Sequence, residues 1–77
     1  MVSMWHENDN IMYKEFEFDD FKSALDFVNK VGELAEKQNH HPDVELGWGR
    51  VKVSLKTHSE GKITDKDKEL ANLIDKI

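Results

Sequence analysis

The apolar residues of this chain change period at its only proline, and that change constrains the fold more than any other feature. Before Pro42 they recur at helical spacing: Phe21, Ala24, Leu25, Val28, Val31 and Ala35, with Phe27 and Leu34 widening the stripe. Residues three and four apart share one side of a helix, so the segment predicts a long helix buried along one face. Lys22, Asp26, Asn29, Lys30, Glu33 and Lys37 take most of the remaining surface. After Pro42 the period is two. Val51, Val53, Leu55 and Thr57 alternate with Lys52, Ser54 and Lys56, the pattern of a strand with a single buried face. The proline ring drives His41 towards extended geometry. The helix is therefore expected to stop there, with His40 near its last position and His41 just beyond.

The other elements fall into place around this switch. In Ile11 to Phe18, Met12, Phe16 and Phe18 share one face and Tyr13, Glu15 and Glu17 the other, which predicts a strand. Asp19 and Asp20 supply an N-cap and negative charge for the helix that follows. Val44 and Leu46 alternate with Glu45, and Gly47 and Gly49 mark a turn around Trp48, so a hairpin is expected. The segment SEGK reads as a turn. Thr64 followed by Asp67 resembles a capping box, with Asp in place of the usual Glu or Gln, and Leu70, Leu73, Ile74 and Ile77 give the last helix its apolar stripe. The order is strand, helix, strand, strand, helix: an α+β domain with an antiparallel sheet and both helices on one face.

Seventy-seven residues make one domain, spanning 1–77, with a thin core. There is no cysteine to staple it, so self-association is the expected source of further stability. Sixteen acidic residues against eleven basic ones give a net charge of -5, unsuited to neutralising nucleic-acid phosphates. The opening MVSMWHENDN has no apolar run of signal-peptide length, and no segment approaches a membrane span. A cytoplasmic protein without nucleic-acid or membrane partners is expected.

Chemistry concentrates in EKQNHHPD, Glu36 to Asp43. Adjacent side chains such as His40 and His41 diverge, whereas helical zinc ligands sit one turn apart, and no carboxylate falls at a recognisable ligand spacing, so no metal is expected. Imidazole, with an unperturbed pKa of ~6.5, exchanges protons near neutrality. Glu36 lies four residues before His40, the spacing of neighbours on a helix, which places it to orient the imidazole or to hold its proton. His58 shares the parity of Lys52 and Lys56, which puts it off the core face at the end of the long strand. The structural alternatives are ordinary ones: His40 as a cation at a helix C-terminus, and His58 as a solvated strand end.

The string Glu36-x3-His40-His41-Pro42-x5-Trp48-x9-His58-x8-Asp67 resembles the signature of the pterin-4a-carbinolamine dehydratases, and YKEFEFDDFKSALDFVNKV resembles that family's strand and first long helix. The resemblance implies a dehydratase acting on 4a-hydroxytetrahydropterin in tetrahydrobiopterin recycling, without metal or cofactor. By position, His40, His41 and His58 would line the pterin pocket, His40 and His58 as acid/base groups and His41 for binding and polarisation. Glu36 and Asp67 would support the pocket. Asn39 stands where some members carry Asp, and Trp5 resembles a tryptophan near the N-terminus of many members. Trp48 matches an aromatic position. The resemblance also implies homodimers or homotetramers. Two rival roles go with it: a dimerisation cofactor for a transcription factor, and an accessory protein of pterin or molybdopterin metabolism.

Overall fold

The computed structural model describes residues 4–77. Its elements are β1 (His6–Asn8), β2 (Ile11–Glu17), α1 (Phe21–Gln38), β3 (Asp43–Gly47), β4 (Arg50–Leu55) and α2 (Asp65–Ile74). The four strands form one antiparallel sheet in the order β1-β2-β4-β3. The α+β class expected from the sequence is the one observed. Among the described residues no helix is long and apolar enough to cross a membrane.

Strand register decides which side chains meet. Met12 pairs with Leu55, Lys14 with Val53 and Phe16 with Val51, while Val44 and Leu46 oppose Val53 and Val51 from the other side. All of these point towards the helices. On the outer face Lys52 sits between Glu15 and Glu45, an alternation of charge that favours this register. Val51, Val53 and Leu55 are fully buried beneath Val31, Leu70 and Ile74. Burial of each such side chain contributes roughly 1.5–3 kcal/mol, so the middle of β4 is the densest source of stability in the domain.

Both helices are buried along narrower lines than expected. In α1 the buried residues are Ala24, Phe27, Val31 and Ala35, while Phe21 and Leu25 are exposed. Leu25 lies roughly 120° round the helix from Val31, too far to reach the sheet. In α2 the line is Asp67, Leu70, Ala71 and Ile74; Leu73 is half-buried, and Ile77, beyond the helix end, is exposed.

One strand was not expected. β1 has no apolar residue and is exposed throughout, so it carries no alternation to detect. It forms because Asp9 and Asn10 adopt φ of 52° and 64°, the two-residue reverse turn whose twist matches antiparallel strands. His6 in this strand stacks on Tyr13 at 5.4 Å. The hairpin between β3 and β4 turns through Trp48 and Gly49, as expected. Phe18 N–H donates to the Gly49 carbonyl at 2.8 Å, and a Cβ on Gly49 would lie 2.8 Å from the Phe18 carbonyl oxygen. Only glycine allows that approach.

α2 is held at its far end by a polar cluster. Lys14 is buried on the core face of β2, and its Nζ reaches Asp75 Oδ1 at 2.7 Å. Trp5 Nε1 donates to Asp75 Oδ2 at 3.0 Å, and the ammonium lies 5.0 Å from the Phe16 ring centre. The partnered charge explains how a lysine occupies a position that otherwise calls for an apolar residue.

Candidate active site

The helix stops before the proline does any work. Asn39 takes the left-handed conformation (φ 51°, ψ 43°), its N–H reaches the carbonyls of Ala35 and Glu36, and His40 N–H reaches the Ala35 carbonyl at 3.1 Å. This is a Schellman-type ending, which asparagine tolerates better than other non-glycine residues. It changes the expected pairing. His40 is no longer helical, so the four-residue spacing to Glu36 does not bring the two together. His41 Nε2 pairs with Glu36 Oε2 instead, and His40 Nε2 meets Asp67 Oδ1 at 2.5 Å. The imidazoles leave the helix end for different carboxylates.

These two pairs differ in environment. Both His41 and Glu36 are more than half exposed, whereas the His40 side chain is 11% and that of Asp67 0% exposed. Burial alone would raise the Asp67 carboxyl. Hydrogen bonds from His40, the Thr64 backbone N–H (2.8 Å) and Thr57 Oγ1 (2.7 Å), together with the charge available at His40, outweigh it and hold the carboxyl below its ordinary value. Asp67 also completes the capping box of α2 anticipated from the sequence. One carboxylate therefore starts a helix and holds an imidazole.

His58 follows Thr57 directly and is exposed, at the start of a turn in which Glu60 N–H and Gly61 N–H return to the Thr57 carbonyl. Gly61, with φ 66°, supplies the left-handed residue that closes it. His58 thus follows the residue whose hydroxyl bonds the Asp67 carboxylate that holds His40. Asn39 caps α1 with its side chain exposed. Trp48 is 70% exposed at its hairpin tip. Trp5 belongs to the other end of α2, with Asp75; eight residues of helix separate that anchor from Asp67, on the order of 12 Å.

Beside His41 an open groove of about 650 Å³ runs between α1 and β3. Its walls are Val28, Val31, Ala35, Pro42 and Val44, with Glu36 and His41 among its lining residues. Among the described residues no three His, Asp or Glu side chains converge as a metal shell. Thr57 continues the core-facing alternation of β4 and is buried; its hydroxyl is the signal of a further site residue, because a buried hydroxyl requires a partner.

The fold is α+β, and the candidate site holds two imidazoles, each on its own carboxylate, with His41 at the edge of an apolar groove. The family model described as Pterin 4 alpha carbinolamine dehydratase matches residues 1–77, and the chain belongs to that family. A Rubrobacter xylanophilus protein is 48% identical over 64 residues, covering 83% of this chain and 60% of its own length. A Sulfurisphaera tokodaii protein is 48% identical over 73 residues, covering 95% of this chain and 78% of its own. Both carry the name pterin-4-alpha-carbinolamine dehydratase provisionally. A crystal structure from Brucella melitensis, described as a transcriptional coactivator/pterin dehydratase, superposes with a TM-score of 0.87 at 34% identity, covering 92% of this chain and 78% of that one. A pterin dehydratase-like protein described as a RuBisCO assembly factor in the alpha-carboxysome gives 0.76 at 17% identity, over 97% of this chain and 87% of that one, a likeness of fold.

Proposed function

We propose that this chain is a hydro-lyase that converts 4a-hydroxytetrahydropterin, as 4a-hydroxytetrahydrobiopterin in tetrahydrobiopterin recycling, to the quinonoid dihydropterin and water. The observation that carries this reading is the pair of neighbouring imidazoles, each on its own carboxylate: His40 on Asp67 and His41 on Glu36. The elimination moves two protons. One is given to the 4a-hydroxyl, which departs as water with the electron pair of the C4a–O bond. As that bond breaks, the nitrogen electron pair forms the N5–C4a double bond and N5 gives up the second proton. No electron enters or leaves overall, so imidazoles suffice for the chemistry.

His40 and His58 take the acid and base roles, and His41 contacts and polarises the pterin from the edge of the groove. Asp67 orients His40, Glu36 orients His41, and the exposed Asn39 amide is available to the polar edge of the ring. Trp5, anchored to Asp75, is not part of this set. On this reading the protein works as one domain in a cytoplasmic homodimer or homotetramer. Freshly generated 4a-hydroxytetrahydropterin tests it: the protein should speed water loss well above the uncatalysed rate, and an unchanged rate overturns the reading.

The description of the Brucella relative as a transcriptional coactivator favours a second reading, a protein-binding module. Capture of a defined transcription-factor dimerisation segment by a chain without dehydratase turnover would favour it.

A further inference from the structure

Asp67 is the end point of a directed chain of hydroxyls that the proposed reaction does not use. An ionised carboxylate only accepts hydrogen bonds. Thr57 has one hydroxyl proton, and its Oγ1 lies 2.7 Å from Asp67 Oδ2, so that proton is committed to Asp67. The contact between Thr57 Oγ1 and Thr64 Oγ1, at 2.6 Å, must then have Thr64 as donor. Thr64 Oγ1 in turn accepts from Lys66 N–H at 3.3 Å. Every bond points the same way, towards the carboxylate.

The same logic fixes His40. Its Nε2 lies 2.5 Å from Asp67 Oδ1, which only accepts, so the proton of a neutral imidazole sits on Nε2 and the free lone pair on Nδ1. Thr57 is well placed to enforce this. It is buried, and its backbone is pinned by Thr57 N–H to the Lys62 carbonyl (3.1 Å) and by two N–H groups returning to its own carbonyl. Its hydroxyl cannot swing away without costing Asp67 Oδ2 one of its two donors and the Thr64 hydroxyl proton its acceptor.

Resting on the dehydratase reading above, we infer that Thr57 is a positioning residue of that reaction. It aims the Asp67 carboxylate so that His40 holds its proton on Nε2 and presents Nδ1 as the nitrogen that exchanges protons with the pterin. Thr57 itself touches no reacting atom.

The test combines nitrogen NMR of the His40 ring with dehydration kinetics, for the wild-type chain, Thr57→Val and Thr57→Ser. The wild-type ring should show the Nε2–H tautomer, a measurement that requires no variant. Thr57→Val, which keeps the shape and removes the hydroxyl, should mix the tautomers. It should also lower kcat roughly 10- to 100-fold at little change in KM, the scale of a misaimed catalytic group. Thr57→Ser should restore both. An Nδ1–H tautomer in the wild type overturns the inference outright. A folded Thr57→Val chain with wild-type tautomer and kcat overturns it while leaving the dehydratase reading intact. Should Thr57→Val fail to fold, the wild-type tautomer and the kcat of Thr57→Ser decide, and loss of turnover in the serine variant counts against the proposal. A wild-type chain without turnover removes the dehydratase reading, and this role with it, whatever the ring shows.

Discussion

Asp67 reaches His40 across 27 positions of sequence with the same carboxylate that caps α2, Oδ1 taking the imidazole at 2.5 Å and Oδ2 the Thr64 N–H at 2.8 Å. Helix start and site geometry are therefore coupled. Asp67→Ala should lose stability and activity together, leaving the partners of a buried carboxylate unpaired at roughly 1–3 kcal/mol. Urea denaturation and turnover on the same preparation check this. Lost turnover with unchanged stability would make Asp67 a purely catalytic group.

The central expectation concerns His40 and His58. Replacing either with alanine should slow dehydration by roughly 10²-fold or more, the scale of a general acid or base. The double variant should be worse than either single one. His41→Ala should weaken pterin binding most. Rate and affinity are measured with circular dichroism as the folding control. A folded double variant near the wild-type rate would return both histidines to structural roles.

Acid stability follows from the direction of the Asp67 shift. Its folded value is depressed, so its contribution to stability is fully present above the unfolded carboxylate value, about 3.9, and is lost as pH falls through the lower folded value. Asp20, lowered chiefly by the Ser23 backbone N–H, acts in the same direction at the start of α1. Unfolding free energy should be level from about pH 7 to 5 with respect to these two groups and fall below about pH 4. In Asp67→Asn that acid slope should be shallower; an identical slope would contradict the assignment.

Asn39 offers a test of backbone geometry apart from chemistry. Its left-handed conformation disfavours a side chain with a Cβ by roughly 1–2 kcal/mol, which asparagine partly offsets. Asn39→Gly should keep or raise thermal stability, and Asn39→Val should lower it and displace both imidazoles. A valine variant of full stability and activity would show that the helix end is not set there.

The expected self-association has a surface to work with. Val44 and Leu46 are each 36% exposed on β3, an edge strand, and Leu25 is exposed on α1. Sedimentation at micromolar concentration should give a mass above the 9.0 kDa of one chain, with Leu46→Lys shifting it downwards. A wild-type protein that is fully folded at monomer mass would refute the expectation.

Legibility in the sequence followed burial. β4 and the buried line of α1 announced themselves because apolar period is what a one-sided core imposes. The Thr64–Asp67 box was legible because capping is local. β1 was not, since three exposed polar residues held by a turn and one neighbour leave no alternation. The Glu36–His41 pairing was missed for a different reason. One left-handed residue re-aims everything after it, and helical spacing cannot be carried across Asn39. The candidate site residues are legible mainly through spaced likeness to a family, because tertiary partners such as Thr57 and Asp67 lie on separate elements.

α2 behaves as a strut fastened at two points. Asp67 ties its beginning to His40 and Thr57, and Asp75 ties its end to Lys14 and Trp5. A rod held at both ends resists rolling about its own axis, and rolling is the motion that would swing the Asp67 carboxylate off the imidazole. Loosening the Trp5 anchor should thus be felt at His40, without any contact between the two. Amide hydrogen exchange along α2 in Trp5→Phe would register it as faster opening at both ends of the helix; faster exchange confined to the Asp75 end would mean that the strut does not transmit.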